Sequence, residues 1–462
     1  MSSTVKLKSP VDGSVYAERP LATDQQINAA VERARRAQAD WAQVPIAERG
    51  AYLLGFLDAL LAMNEEIVPE LAWQMGRPVR YGGEKGGVEE RTRYMVGLAE
   101  TALKPFVPPD DRPGFRRYLK REPLGVVFTI APWNYPYLTA VNSIVPALMA
   151  GNAVLLKHAA QTLLVGERFQ AAFDRAGLPK GLFENLVMNH GQTERLLASG
   201  KVDHCNFTGS VGGGRAIEKA AAGTFTTLGL ELGGKDPAYV LPDVKLDHAI
   251  ANLVDGAFYN TGQCCCGIER VYVHADIYDD FVDGFVAETK NYVVGDPLET
   301  ATTMGPMAQT RFADLIREQK AEALRKGARA HIGMKVDNDR EGSPYIAPEV
   351  LTDVDHQMSV MREESFGPIV GIMKVRNDDE AVALMNDSPY GLTASIWTTD
   401  TDHAAAIGDR VETGTVFMNR CDYVDPGLVW TGVKDTGKGG AMSVVGYENL
   451  TRPKSYHLRD VS

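Results

Sequence analysis

Cysteine is scarce and poorly spread for cross-linking. Of five cysteines in 462 residues, Cys264, Cys265 and Cys266 are consecutive, and Cys205 and Cys421 stand far from them. A disulfide framework would disperse its cysteines, so this pattern argues for a reduced, cytoplasmic setting. Long apolar runs are also missing. The most apolar stretches, Ile144 to Leu148 and Val154 to Leu156, fall far short of the ~20 residues that a bilayer-crossing helix needs. Met1 to Pro10 lacks the apolar segment of a secretory leader. Basic charge is in deficit. Lys+Arg 48 against Asp+Glu 60 gives a net charge of −12, which argues against nucleic acid or an anionic membrane as the main partner. Metal-ligand spacing is absent: there is no Cys-x-x-Cys pair, and the nine histidines show no metal pattern.

What is present reads as a globular protein, with 44% hydrophobic and 23% charged residues. The length suits two or three domains. The first part reads mainly helical. Asp24 is a candidate N-cap ahead of Ile27, Ala30, Val31 and Ala34, and further amphipathic stretches run from Ile46 to Met63 and Val88 to Leu103. Phe115 to Glu122 is a charged, strand-like segment of the kind found at sheet edges. From Gly125 to Leu232, strand-like runs (Val126 to Ile130, Ala153 to Leu156, Leu186 to Met188) alternate with helical ones (Tyr137 to Met149, Thr162 to Ala176, Gly214 to Ala222). That rhythm predicts a parallel sheet covered by helices. A second alternation, from Lys245 to Met418, has strand candidates Arg270 to His274, Ile369 to Val375 and Thr415 to Met418. The flexible pair Gly233-Gly234 is the expected boundary, and Thr451 to Asp460 reads as a final strand.

Three places carry chemistry. Gly262-Gln-Cys-Cys-Cys-Gly267 is either a buried thiol cluster or the seat of a nucleophile. A zinc site is disfavoured, because adjacent cysteines do not easily converge on one ion. Glu231, in Leu230-Glu-Leu-Gly-Gly-Lys235, is either a solvated loop carboxylate or a general base. Asn134, in Pro132-Trp-Asn-Tyr-Pro136, belongs to a structural turn or offers an amide donor to a developing oxyanion. Two near-misses are set aside. Gly209-Ser-Val-Gly-Gly-Gly214 is not the Gly-x-Gly-x-x-Gly fingerprint, and Gly432-Val-Lys-Asp-Thr-Gly-Lys-Gly439 lacks the terminal hydroxyl of a P-loop. His158, beside Lys157, reads as a polar residue at a strand end.

Together with Phe207-Thr-Gly-Ser210, Glu363-Glu-Ser-Phe-Gly-Pro368 and Asn419, these motifs resemble the aldehyde dehydrogenase superfamily over nearly the whole chain. The resemblance implies NAD(P)-dependent oxidation of an aldehyde to its carboxylic acid, without phosphorylation. It implies an α/β fold with a variant Rossmann cofactor domain, a catalytic domain and a small β oligomerisation element. Residues 1–106 and 122–231 would bind NAD(P), 232–434 would form the catalytic domain, and 107–121 with 446–462 would form the oligomerisation hairpin and C-terminal strand. A homodimer or homotetramer is expected.

By the same resemblance, Cys265 is the nucleophile, Asn134 holds the oxyanion together with the Cys265 backbone N–H, and Glu231 activates water to hydrolyse the thioester. NAD or NADP would meet Ile130, Trp133, Lys157, Gly209, Ser210, Leu232, Glu364 and Phe366. The substrate funnel would be lined by Tyr135, Leu138, Asn142, Cys264, Cys266, Tyr423 and Val424. No metal is expected.

Two positions depart from the family pattern. Ala160 stands where an acidic residue often binds the adenosine ribose. Without that carboxylate a 2′-phosphate meets less repulsion, so NADP should be accepted. Ala441 falls near the position of a second glutamate found in some members, leaving Glu231 to act alone. The default substrate is a medium aliphatic or aromatic aldehyde. A semialdehyde is a further option, although no carboxylate-binding Arg stands out beyond nearby Arg420. Rival readings are acyl transfer to coenzyme A, a thiol hydrolase, and a non-catalytic relative. The presence of Glu231, the lack of a His partner motif, and the retained Cys265, Glu231 and Asn134 argue against each in turn.

Overall fold

The computed structural model describes residues 4–336 and 339–461. The outermost ends of the expected first and last segments, 1–3 and 462, lie outside the described residues. Two parallel sheets organise the chain. The first runs in the order Gly437–Lys438, Thr227–Glu231, His204–Thr208, Val126–Ala131, Ala153–His158, Phe183–Asn185. Only the short Gly437–Lys438 strand is antiparallel. Val126–Ala131 and Ala153–His158 are buried along their whole length, as expected of strands covered on both faces. The chain moves outward from Val126–Ala131 to one side, then returns to its other side with His204–Thr208. The crevice at such a reversal, beyond the carboxyl ends of the strands, is where open α/β sheets take ligands.

The second sheet has the order Arg329–Ala330, Glu349–Thr352, Ile369–Val375, Ile268–His274, Asp236–Val240, Thr393–Trp397, Thr415–Met418. Gly233-Gly234 lies between the last strand of one sheet, ending at Glu231, and the first of the other, starting at Asp236.

Most expected elements form. Ile369–Val375 and Thr415–Met418 have the bounds read from sequence. Two local expectations are corrected. Thr23, not Asp24, is the N-cap of the helix Asp24–Trp41. Its side chain accepts from the Gln26 backbone N–H, and Gln26 returns the bond. The strand expected at Leu186 to Met188 lies at Phe183–Asn185. Leu186 to Met188 instead run on as buried loop, with Val187 O accepting from Ala22 N at 2.8 Å. The apolar run marked burial rather than a strand.

Phe115–Pro123 and Thr451–Arg459 pair antiparallel over nine residues, with Tyr118 stacked on Tyr456 at 4.5 Å. The two charged segments therefore satisfy one another within the chain. The outer edge of Thr451–Arg459 has no partner strand among the described residues. No helix among the described residues is long and apolar enough to cross a membrane.

Candidate active site

The thiol loop is shaped by backbone strain. Asn260 (φ 54°) and Thr261 (φ 59°) lie in the left-handed region, which costs non-glycine residues roughly 1 kcal/mol or more each. Gly262 follows at φ +69°, where a Cβ would stand 2.4 Å from the Gly367 carbonyl. The path thus needs glycine here, and it presses the thiol loop against Gly367, one residue beyond Phe366.

A turn, closed by Gly267 N donating to Cys264 O at 3.2 Å, gathers the three sulfurs. All lie within 4.8 Å of one another, and Cys264 Sγ is 3.5 Å from Cys266 Sγ. The sequence expectation that adjacent cysteines do not converge is therefore corrected, because the turn overrides the alternation of an extended chain. Cys264 and Cys266 are buried, and Cys265 is the most exposed of the three. Hydrogen bonds from its neighbours hold the Cys264 thiol well below the usual range, and the same contacts push Cys265 and Cys266 up. The cluster thus gives up one proton readily and the others with difficulty. Tyr135, Val424, Leu392, Trp430 and Ala441 pack around these thiols as one apolar cluster.

Asn134 is buried next to this loop. Its Nδ2 donates to Gln263 O at 3.2 Å, and its own carbonyl accepts from Asn260 Nδ2 at 3.1 Å and Arg77 Nη2 at 2.5 Å. Arg77 pairs with Glu84, both side chains nearly inaccessible. Glu84 Oε2 in turn accepts from the N–H groups of Tyr137 and Leu138, at 3.0 and 2.7 Å, at the start of helix Pro136–Met149. Sequence reading missed Arg77, Glu84 and Asn260. Their contacts with Asn134, Tyr137 and Leu138 span distant parts of the chain, and no local pattern marks them.

Glu231 ends its strand with Thr208 Oγ1 donating to Oε2 at 3.2 Å. Burial pushes its carboxyl up to about 7, against smaller lowering effects of the Thr208 bond and the Arg91 charge. That range suits a general base at neutral pH.

The funnel residues named from sequence separate. Tyr135, Cys264, Cys266 and Val424 join Cys265 in the apolar cluster. Leu138 lies against Gly87, and Asn142 Oδ1 accepts from Arg91 Nη1 at 3.1 Å. Tyr423 donates to Glu90 Oε1 at 2.5 Å beneath the Arg420 guanidinium, so the structure ties it to helix Lys85–Ala102.

The residues expected to meet a cofactor are spread over the strand ends of the first sheet and the Glu364–Phe366 turn. Lys157 is buried at the end of Ala153–His158, and burial alone lowers its ammonium to about 8. With no bonded acceptor among the described residues, that ammonium suits a hydroxyl or phosphate oxygen of a dinucleotide. Ser210 caps helix Val211–Ala221, its Oγ accepting from Gly213 N at 3.2 Å. Trp133 stacks on Phe312 at 5.4 Å and meets Phe366 edge-on at 5.6 Å. Phe366 itself is at φ 49°, strained for a bulky side chain. Glu364 Oε1 accepts from Gly234 N at 3.0 Å, and burial pushes its carboxyl to about 8. Leu232 packs under Gly214, Gly209 contacts the Phe207 ring, and Ile130 is buried on the central strand. Ala160 is exposed beside them. His158 is no simple strand-end residue. It is buried, with Nε2 at 3.2 Å from Pro136 O, and burial lowers it to about 4, so it is neutral.

The aldehyde dehydrogenase family pattern matches residues 1–456. A succinate-semialdehyde dehydrogenase (NADP(+)) 1 of Mycobacterium tuberculosis is 34% identical over 449 residues, 97% of this chain and 98% of that protein. Geranial dehydrogenase of Castellaniella defragrans is 34% identical over 444 residues, 95% and 92% of the two chains. The crystal structure of an NAD-dependent aldehyde dehydrogenase from Sinorhizobium meliloti superposes with a TM-score of 0.95 at 31% identity, covering 100% of this chain and 92% of that one. The fold, the thiol loop with its neighbouring amide and carboxyl, and these likenesses together place the chain in the aldehyde dehydrogenase family, oxidoreductases that act on aldehydes with a nicotinamide cofactor.

Proposed function

We propose that the chain oxidises an aldehyde to its carboxylic acid with NAD or NADP, through a covalent thioester on Cys265. The observation that carries this is that the most exposed thiol of the cluster lies in the loop whose Gln263 O accepts from Asn134 Nδ2, with a proton-accepting carboxyl at Glu231. Cys265, on giving up its proton, attacks the aldehyde carbon through its sulfur and forms a tetrahedral adduct. Asn134 Nδ2, released from Gln263, donates to the oxygen anion together with the Cys265 backbone N–H. The adduct would expel its hydrogen as hydride, for which a bound nicotinamide would supply the acceptor. Glu231 then takes a proton from water, the water oxygen bonds to the acyl carbon, and the sulfur leaves with its electron pair.

Lys157, Ser210, Trp133 and Glu364 would hold the dinucleotide, with Trp133 on its phosphate side and Phe366 bounding its nicotinamide end. Exposed Ala160 leaves the adenosine 2′ position without a facing carboxylate, which supports use of NADP. Pairing of the outer edge of Thr451–Arg459 with a second copy would build a homodimer or homotetramer, which light scattering would read. The free state of all five cysteines suits a reducing cytoplasm. The deciding experiment is Cys265→Ser. Loss of aldehyde-dependent NAD(P)H formation is expected, and full activity would overturn the reading.

A second reading of the substrate, an aldehyde with a distal carboxylate, is favoured by Arg91. This guanidinium is buried, and Nη1 donates to two neutral acceptors, Leu138 O and Asn142 Oδ1, each at 3.1 Å. Nε has no hydrogen-bond partner among the described residues. Glu84, Glu231 and Glu90 act on it through space, but no carboxylate among the described residues is hydrogen-bonded to it, and a substrate carboxylate would supply that direct partner. The Mycobacterium tuberculosis relative is named for such a substrate. Comparison of succinic semialdehyde with butanal tests this. Arg91→Met should lower kcat/KM for the acid at least about tenfold and spare butanal. Equal losses on both would refute the anchor.

A further inference from the structure

Adjacent cysteines on an extended chain point apart, which is the ground on which the sequence argues against a metal. The turn from Cys264 to Gly267 removes that ground. It brings the sulfurs of Cys264, Cys265 and Cys266 within 4.8 Å of one another, with Cys264 Sγ 3.5 Å from Cys266 Sγ. An ion bonded to three sulfurs at ~2.3 Å each, in one plane, sets those sulfurs roughly 4.0 Å apart. Each pair is therefore less than about 1 Å from that spacing, which modest turns about the three Cα–Cβ bonds supply.

The surroundings choose the ion. Among the described residues no imidazole or carboxylate joins the three sulfurs. Calcium and magnesium demand oxygen ligands, which the cluster lacks. Zinc favours a tetrahedron of four ligands and is served poorly by three. Tyr135, Leu392, Val424, Trp430 and Ala441 pack around the thiols, and this mainly apolar shell gives a water little hold as a fourth ligand. Soft sulfur ligands, only three in number, suit a soft and singly charged ion, Cu(I). Cys265, the most exposed of the three, faces the side of entry. The other two cysteines stand apart from the group. Cys205 is buried within His204–Thr208, and Cys421 Sγ donates to Asn252 O at 3.5 Å.

We propose that the three thiols form a binding site for Cu(I), which occupies the Cys265 sulfur and stops turnover until a competing thiol or chelator withdraws the ion. Each thiol that bonds as thiolate gives its proton to solvent. The ion keeps its oxidation state, and no S–S bond forms. Because protons are released, affinity falls as the pH is lowered. The ion takes no part in aldehyde oxidation as described above. It acts as a brake, and a rise in the free ion halts the reaction without unfolding the chain. Binding does not depend on Cys265 being the nucleophile, whereas the loss of turnover does.

Anaerobic titration of the full chain with Cu(I), against a coloured chelator of known affinity, tests the site. One tightly held ion per chain is expected, and X-ray absorption at the copper edge should report three sulfur neighbours. Cys264→Ser and Cys266→Ser should each lower affinity at least about tenfold, since loss of even an outer partner costs a metal site that much. Cys421→Ala should leave affinity unchanged. The loaded protein should form no NAD(P)H, and its Cys265 should resist iodoacetamide. Excess chelator should restore turnover and reactivity together. Unchanged affinity in both serine variants, two sulfur neighbours instead of three, or Zn(II) held more tightly than Cu(I) overturns the site. Three-sulfur binding with unimpaired turnover overturns the brake. The two readings fail separately, because full dehydrogenase activity in Cys265→Ser removes the nucleophile, whereas stoichiometry and sulfur count are read on the metal without any turnover.

Discussion

Lys235 Nζ lies 2.5 Å from Glu269 Oε2, with side-chain exposures of 0% and 4%. The same carboxylate accepts from the N–H groups of Ser365 and Phe366, both at 2.8 Å, and Lys235 also donates to Ser365 Oγ at 2.9 Å. One buried pair thus fastens the loop after Gly233-Gly234 to the strained turn that carries Glu364 and Phe366. Glu269→Gln leaves the Lys235 cation buried without its anion, a change that costs about 3 kcal/mol or more. Urea unfolding should show that loss. The KM for NAD(P) should rise as the Phe366 turn loosens. Unchanged stability and KM would mean that the pair fixes nothing.

Glu231 sets the pH dependence of deacylation. The base works as a carboxylate, and burial raises its pKa to about 7. Acyl-enzyme decay should therefore be slow on the acid side and climb as pH rises through about 7, levelling off above it. In Glu231→Gln the NAD(P)H burst should persist while steady-state turnover falls by roughly 10²-fold. Rapid mixing followed by steady-state assay reads both.

Lys157 works in the opposite sense. Burial lowers its ammonium to about 8 in the free protein. The cation is present below that pH and lost above it, so affinity for the 2′-phosphate should weaken as pH rises past about 8. Lys157→Met should cost NADP more than NAD. Ala160→Glu should lower kcat/KM for NADP at least about tenfold through repulsion. Titration calorimetry and steady-state kinetics with each dinucleotide check the two variants.

The cysteine cluster makes a directional prediction. The Cys264 thiolate and its hydrogen bond hold the Cys265 thiol protonated. In Cys264→Ala that restraint is gone, and Cys265 should react faster with iodoacetamide at neutral pH, as peptide mass mapping would show. A slower reaction would show that Cys264 instead helps Cys265 to ionise.

Much of this was legible in the chain. The βαβ rhythm announces parallel sheets because strands buried on both faces must be apolar throughout, as Val126–Ala131 and Ala153–His158 are. The Thr23 cap was misread because both Thr23 and Asp24 are good capping residues, and only the reciprocal bonds with Gln26 choose between them. The Leu186 to Met188 run was misread because burial alone demands apolar residues there.

The sequence by itself determined which groups are available: a thiol, an amide and a carboxyl, each on a short motif whose turn residues set its local shape. Tertiary structure alone decided their chemistry. A pKa depends on what surrounds a group in space, so Glu231 becomes a base near neutrality only once its strand end is buried. Arg77, Glu84 and Arg91 matter through partners dozens of residues away. The cavity of about 330 Å³ beside Glu231 lies where strands Val126–Ala131, His204–Thr208 and Thr227–Glu231, helix Pro136–Met149 and the Gly440-Ala441 turn leave it unfilled. Local sequence encodes backbone preference and burial, whereas distances between distant side chains are fixed by packing.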